Sequence, residues 1–129
     1  MSLKQENSNK QADVGLGAAI RYYSSQGMTV SLPLRDSQDY DLVVDDGKLK
    51  RVQVKTATSS SDYGVPVAYL KTNGGNRSGT GKVKKFNNKK VEILFILTND
   101  DMYSIPSKKV KSKTKLNLGK EMDKYKVLP

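Results

Sequence analysis

The sequence predicts an α/β fold in which one small mixed β-sheet is flanked by helices. Three observations point there. A helical repeat of apolar residues opens the chain. A run of short alternating strands follows, and the most apolar of them, VEILFILT at 91–98, reads as a central strand. Helix first, then strands, then mixed elements is the order of an α/β core around a single sheet.

Taken in order, residues 1–9 are polar and read as a disordered lead, and residues 10–129 as one domain. Residues 10–26 read as a helix ended by Gly27. Leu16, Ala19, Ile20 and Tyr23 repeat at helical spacing and predict its buried face. Gly15 and Gly17 each cost up to about 1 kcal/mol of helix propensity, which points to close approach of another backbone or a ligand. Residues 28–34 alternate as a strand, with Pro33 favouring an edge or an end. Residues 40–44 and 49–57 read as a hairpin, and 65–71 as a further strand. Residues 72–82, TNGGNRSGTGK, form a loop, and 83–90 are basic and ambiguous. After 91–98, Asn99-Asp100-Asp101 turns into a short strand at 102–105. The following SIPSKKVKSKTKLNL reads as irregular, and 119–127 as a short closing helix. Tyr22, Tyr23 and Phe95 are assigned to the core, and Tyr63 and Tyr69 to the neighbourhood of a groove.

Composition narrows the chemistry. The chain has 129 residues, enough for a core without staples. It has neither cysteine nor histidine, which excludes disulfides, thiolate or imidazole metal sites and histidine general bases. Acid–base and metal chemistry are left to carboxylates, amides, lysines and hydroxyls. Net charge is +10, unevenly spread: residues 1–60 carry 8 basic and 7 acidic side chains, residues 61–129 carry 15 and 6. One part of the chain is thus strongly basic, which makes polyanions the first class of partner. A solvated lysine surface is the plain alternative. No apolar run approaches the ~20 residues that span a bilayer, and the start lacks a signal-peptide pattern, so a cytoplasmic location without membrane contact is the expectation.

The segment YDLVVDDGKLKRVQVK, residues 40–55, carries the sharpest pattern. Side chains alternate along a strand, so Arg51, Gln53 and Lys55 share one face, and Asp39, Asp41 and Val43 share another. The turn decides whether the two sets coincide. A two-residue turn at Asp46-Gly47 sets Asp41 against Val52, on the wrong face. A three-residue loop, Asp45-Asp46-Gly47, sets Asp41 against Arg51 and uses Gly47 for a positive φ. Grouping Asp41 with Gln53 and Lys55 therefore requires an odd-length loop. Grouped, they suit metal-assisted phosphodiester hydrolysis. Mg²⁺ takes oxygen ligands and only one or two carboxylates. Asp41 offers the anion, with the Gln53 amide oxygen and the Val54 backbone carbonyl as neutral ligands. Lys55 would orient the attacking water and stabilise developing negative charge. The alternative is a solvated hairpin with weak surface pairs.

Four blocks, KQADVGLGAAIRYYSSQG with MTVSLPLRDSQDYDLVV, then GKLKRVQVKTA, YLKTNGGNRSG and VEILFILTNDDMYSIPSKKV, together resemble the PD-(D/E)XK endonucleases. The resemblance is to the branch that includes a group I intron homing endonuclease of cyanobacterial type, with glutamine in the usually acidic position of the motif. It implies a restriction-endonuclease-like core and cleavage of double-stranded DNA with Mg²⁺ or Mn²⁺. It also implies homodimeric or homotetrameric action. Asp41, Gln53 and Lys55 match the family's aspartate, acidic and lysine positions. The first helix departs from the pattern, with Leu16 near where a glutamate often stands. Asp13 becomes the candidate second metal contact there, or else a first-turn aspartate favoured by the helix dipole. The basic half supplies candidate DNA contacts at Asn76, Arg77, Lys82, Lys84 and Lys85. Lysines 108, 109, 111, 113 and 115 either track a phosphate backbone or face solvent. Two other readings share this fold: a non-catalytic DNA-binding module and a Holliday-junction-resolvase-like nuclease.

Overall fold

The computed structural model describes residues 8–35, 37–73 and 83–128. Helix α1 (Ser8–Ser25) leads into β1 (Thr29–Ser31), β2 (Leu42–Asp45) and β3 (Leu49–Ala57). Then come β4 (Ser59–Ser60), β5 (Pro66–Tyr69), β6 (Thr72–Asn73) and β7 (Val83–Lys84). β8 (Ile93–Thr98), β9 (Met102–Pro106), β10 (Lys115–Asn117) and β11 (Lys126–Val127) complete the strands. Among the described residues, the main sheet runs β1-β2-β3-β8-β9-β11, with β3 and β8 parallel and the other neighbours antiparallel. β8 is an interior strand, as its apolar run predicts. The fold is the mixed α/β class that the sequence predicts.

Alternation assigns the two faces of the sheet. Leu42, Val44, Val52 and Phe95 point to one face and are buried under α1 with Ala19 and Tyr23. Leu16 and Ile20 pack against the same cluster, so the predicted helix face is the buried one. Ala57, Leu94, Ile96, Tyr103 and Ile105 point to the other face. The small sheet β10-β5-β4 and the segments carrying Phe86, Val110 and Met122 cover that side. Burying both faces of β8 explains its lack of polar alternation.

Several expectations are corrected. The helix starts at Ser8, within the segment read as a disordered lead, and it ends as predicted before Gly27, whose φ is +82°. Gly15 lies over β3, where an added Cβ would stand 2.7 Å from Thr56 Cγ2. The close approach is therefore to a side chain rather than a backbone. Gly17 faces open space, with nothing within 4 Å of a Cβ there. The strand expected at 28–34 stops at Ser31, and Leu32 and Leu34 are exposed. The irregular stretch contains a 3-10 turn at Ser107–Lys109 and the strand β10. The expected closing helix is a 3-10 helix, Lys120–Tyr125, followed by β11, which pairs with β9. The unpaired backbone of β9 outweighs local propensity there, because a strand edge offers a ladder of hydrogen-bonding groups.

Candidate functional site

The hairpin register comes first, because it decides which side chains meet. Asp45 pairs with Leu49, Val44 with Lys50, Val43 with Arg51 and Leu42 with Val52. The loop is thus Asp46-Gly47-Lys48, one residue later than expected but still of odd length. Gly47 occupies its middle position, rather than its third, at φ +105°, and its N–H donates to Asp45 Oδ1 at 2.9 Å. Leu42 and Val52 both face the α1 side. By alternation Gln53 and Lys55 turn to the opposite face of β3, while the ladder stops short of Asp41, which stands within electrostatic reach of Lys55.

Ladder pairing of β2 ends at Leu42, and Asp41 takes over. Its N–H donates to the Val52 carbonyl at 2.8 Å, and its Oδ2 accepts the Val54 N–H at 2.7 Å. A side-chain oxygen thus stands where a backbone carbonyl of β2 would have stood. Both polar groups of a strand residue point to the same edge, so the Val54 carbonyl opens toward the side where β2 has ended.

Burial dominates the electrostatics of the pair. Desolvation pushes the Asp41 carboxyl above the usual aspartate range, while the Val54 N–H and the Lys55 charge pull it back. Desolvation likewise lowers Lys55 below an ordinary lysine, partly offset by Asp41. Each group is therefore easier to neutralise than its surface counterpart, and each is the other's counter-charge. Arg51, on the same face, is committed elsewhere. Its backbone N–H donates to Glu92 Oε1 at 2.7 Å and its Nε to the same oxygen at 3.0 Å.

The donor set defines what kind of ion it can hold. Among the described residues no three Asp, Glu, His or Cys side chains form a metal-binding group. Asp41 keeps Oδ1 without a hydrogen-bond partner among the described residues, and the Gln53 amide is likewise unengaged. One carboxylate oxygen, one amide oxygen and one edge carbonyl fit a hard cation that keeps several waters. They do not fit a tight, fully protein-ligated cage.

The other candidate residues are placed as follows. Asp13 is exposed. Gln11 and Gly15 both touch β3, and a residue midway between them lies about 200° around the helix from each. Asp13 therefore points away from β3 and does not join the group; the helix start at Ser8 also puts it beyond the first turn. Lys84 and Lys85 are exposed beside Gln53, in a small pocket that Asp39, Asn87 and Lys90 also line. Lys84 Nζ pairs with Asp39 Oδ1 at 3.4 Å. Asn76, Arg77 and Lys82 lie outside the described residues. Tyr63 and Tyr69 are both exposed, and neither lines that pocket.

Sequence reasoning missed two neighbours. Gln11 Nε2 donates to Thr56 Oγ1 at 2.8 Å, joining α1 to the residue after Lys55. Its spacing of four from Gly15 was the signal available, since i and i+4 share a helix face. Asp39 was seen only as a strand-face neighbour of Asp41, and its pairing with Lys84, 45 residues on, has no local signature.

Comparison with known proteins places the chain in a family. The chain is 30% identical over 99 residues to Protein 5.3 of Escherichia phage T7, covering 76% of this chain and 79% of that protein. The bacterial homing endonuclease I-Ssp6803I superposes with a TM-score of 0.69 at 25% identity, covering 91% of this chain and 80% of that one. The profile described as PD-(D/E)XK endonuclease matches residues 6–127. With the match running over nearly the whole length, the chain belongs to the PD-(D/E)XK endonuclease family.

Proposed function

We propose that the protein is a divalent-metal-dependent DNA endonuclease that hydrolyses phosphodiester bonds at the Asp41, Gln53 and Lys55 cluster. One observation carries the reading. The Asp41 carboxylate is locked to the N–H of Val54, the residue between Gln53 and Lys55 in β3, and feels the charge of Lys55. Family membership supports the class of reaction.

Asp41, Gln53 and the Val54 carbonyl would hold Mg²⁺ or Mn²⁺, whose contribution is Lewis-acid stabilisation of charge at the phosphate. The chain's own residues do the rest. Asp41 is oriented before substrate arrives, because its Oδ2 is already fixed by Val54. Its remaining oxygen faces the phosphate. Lys55 Nζ donates to the attacking water and lowers the energy of the negative charge that builds on phosphorus-bound oxygens. Burial lowers its pKa, so it exchanges a proton more readily than a surface lysine. Gln53 brings oxygen without charge, so metal binding is weak until the phosphate adds its own anionic oxygens.

Double-stranded DNA is the proposed substrate, with Lys84 and Lys85 contacting phosphates next to Gln53. One chain carries one such cluster, so cutting both strands calls for two chains on the duplex, as a homodimer or within a homotetramer. Site-specific cleavage of the homing kind is the finer form of the proposal, and likeness to I-Ssp6803I supports it.

The test is cleavage of a pooled phage and bacterial DNA library in Mg²⁺ or Mn²⁺, with new ends mapped by sequencing. Metal-dependent ends that vanish in Lys55→Ala are the expected result. Binding of DNA with no metal-dependent ends in the wild type would leave a DNA-binding module instead.

A further inference from the structure

We infer that a lysine-lined groove leads away from Gln53 and holds the sugar–phosphate backbone of one DNA strand beyond the cleavage site. The inference deepens the nuclease reading and rests on it for the identity of the polyanion.

Two concavities adjoin on the surface. Gln53 opens into the first, beside Lys84, Lys85 and Lys90. The second lies between residues 85–89 and 110–113 and is lined by Lys85, Lys89, Lys111 and Lys113. Lys85, Phe86 and Asn87 belong to both, so the two share a wall and lie next to each other.

The floor of the second is held in place. The Phe86 N–H donates to the Lys113 carbonyl at 2.9 Å, and Asn88 Nδ2 donates to the Val110 carbonyl at 3.2 Å. Phe86 and Val110 are buried beneath it. The lysines above stand at the surface, and Lys85, Lys89, Lys90, Lys111 and Lys113 make no ion pair with a described carboxylate. Asp39 is the one carboxylate among the described residues lining either concavity, and it sits at the Gln53 end against Lys84.

Neutral donors punctuate the charges. Asn87 Oδ1 is occupied by the Lys89 N–H at 2.9 Å, which leaves the Asn87 amide hydrogens for an anion. Ser112 adds a hydroxyl in the far concavity. Lysines and small amide or hydroxyl donors on a fixed ledge, with its one described aromatic, Phe86, buried and its one described carboxylate, Asp39, paired with Lys84, recognise phosphates rather than bases. Lysines 111 and 113 are thereby separated in function from Lys108, which lines a different groove beside Glu92 and Lys50.

The experiment compares Lys111→Gln/Lys113→Gln with Lys10→Gln/Arg21→Gln. The second pair loses the same charge from α1, on the opposite face of the sheet. Binding of a fluorescent duplex is read by anisotropy in EDTA across a salt series, so cleavage does not enter. The Lys111/Lys113 variant is expected to lower the slope of log K against log salt by about 2, at roughly 0.9 for each phosphate no longer neutralised. The α1 variant is expected to leave the slope unchanged. Equal slope losses in both variants, or none in the Lys111/Lys113 variant, would overturn the groove while leaving the nuclease reading intact. A wild-type protein that fails to bind duplex overturns both. Slope loss in a protein that never cuts keeps the groove and rejects the nuclease.

Discussion

The carboxylate of Asp41 accepts the backbone N–H of Val54 at 2.7 Å, and so completes the β2–β3 ladder with a side chain. The same hydrogen bond ends β2, frees the Val54 carbonyl edge and holds the acid beside Lys55. Strand termination and site geometry are one structural event here.

Lys55 is the first residue to remove. Lys55→Ala is expected to cut the cleavage rate at least about a hundredfold, the scale of losing one preorganised charge-stabilising donor. DNA affinity in EDTA should stay within about twofold, because a half-buried lysine adds little to a phosphate track. Parallel cleavage and anisotropy measurements separate the two. Retained cleavage would remove Lys55 from the mechanism.

Gln53→Glu places a second carboxylate next to Val54, whose N–H holds Asp41. Mn²⁺ affinity, measured by calorimetry, should rise by about tenfold, since ligand charge sets affinity at such sites. Without metal the variant should melt lower than the wild type, because two neighbouring carboxylates repel. Unchanged Mn²⁺ affinity would argue that Gln53 is no ligand.

The two helix glycines predict opposite outcomes. Gly15→Ala sets a methyl 2.7 Å from Thr56 Cγ2, so α1 or β3 shifts and stability drops by about 1–3 kcal/mol. That shift also strains the Gln11–Thr56 hydrogen bond. Gly17→Ala meets nothing within 4 Å and should stabilise the protein by up to about 1 kcal/mol through helix propensity. Urea denaturation of both variants gives the signs directly.

Glu92 predicts a pH dependence. The hydrogen bond from the Arg51 side chain, then that from its backbone N–H, hold the Glu92 carboxyl below its usual 4.5. A carboxyl with a lowered folded-state pKa stabilises the fold above its unfolded value and loses that contribution as pH falls through the folded one. Glu92→Gln should therefore melt below the wild type at neutral pH, with the gap closing under about pH 4.5. The pair is partly exposed, so the neutral-pH gap should be small and shrink in salt.

Much of the fold could be read from local pattern. Period-3.6 spacing found the face of α1 carrying Ala19 and Tyr23, and unbroken apolarity found β8. Alternation put Gln53 with Lys55, because a strand has only two faces. It tied the placement of Asp41 to the parity of one loop, whereas in the structure the ladder ends before Asp41 and its N–H bonds the Val52 carbonyl out of register. That parity turns on a single residue between Asp45 and Lys48, a choice that propensity alone does not resolve. The opposite orientation of Asp13 was in reach once Gln11 and Gly15 marked the packed side of the helix.

What only tertiary structure decided is non-local. Lys84 meets Asp39 from 45 residues away, and residues 85–89 meet 110–113 to make one basic groove. The segment after the closing 3-10 helix became a strand because β9 had an open edge. The sequence by itself determined the periodicities, the charge imbalance and the side chains able to do chemistry, since each is written within a few neighbouring residues. Which charges stand together, which carbonyl opens toward the site and how far Asp41 and Lys55 are desolvated depend on segments that meet only after folding. Coulomb interaction and solvent exclusion act across space, and spacing along the chain does not encode them.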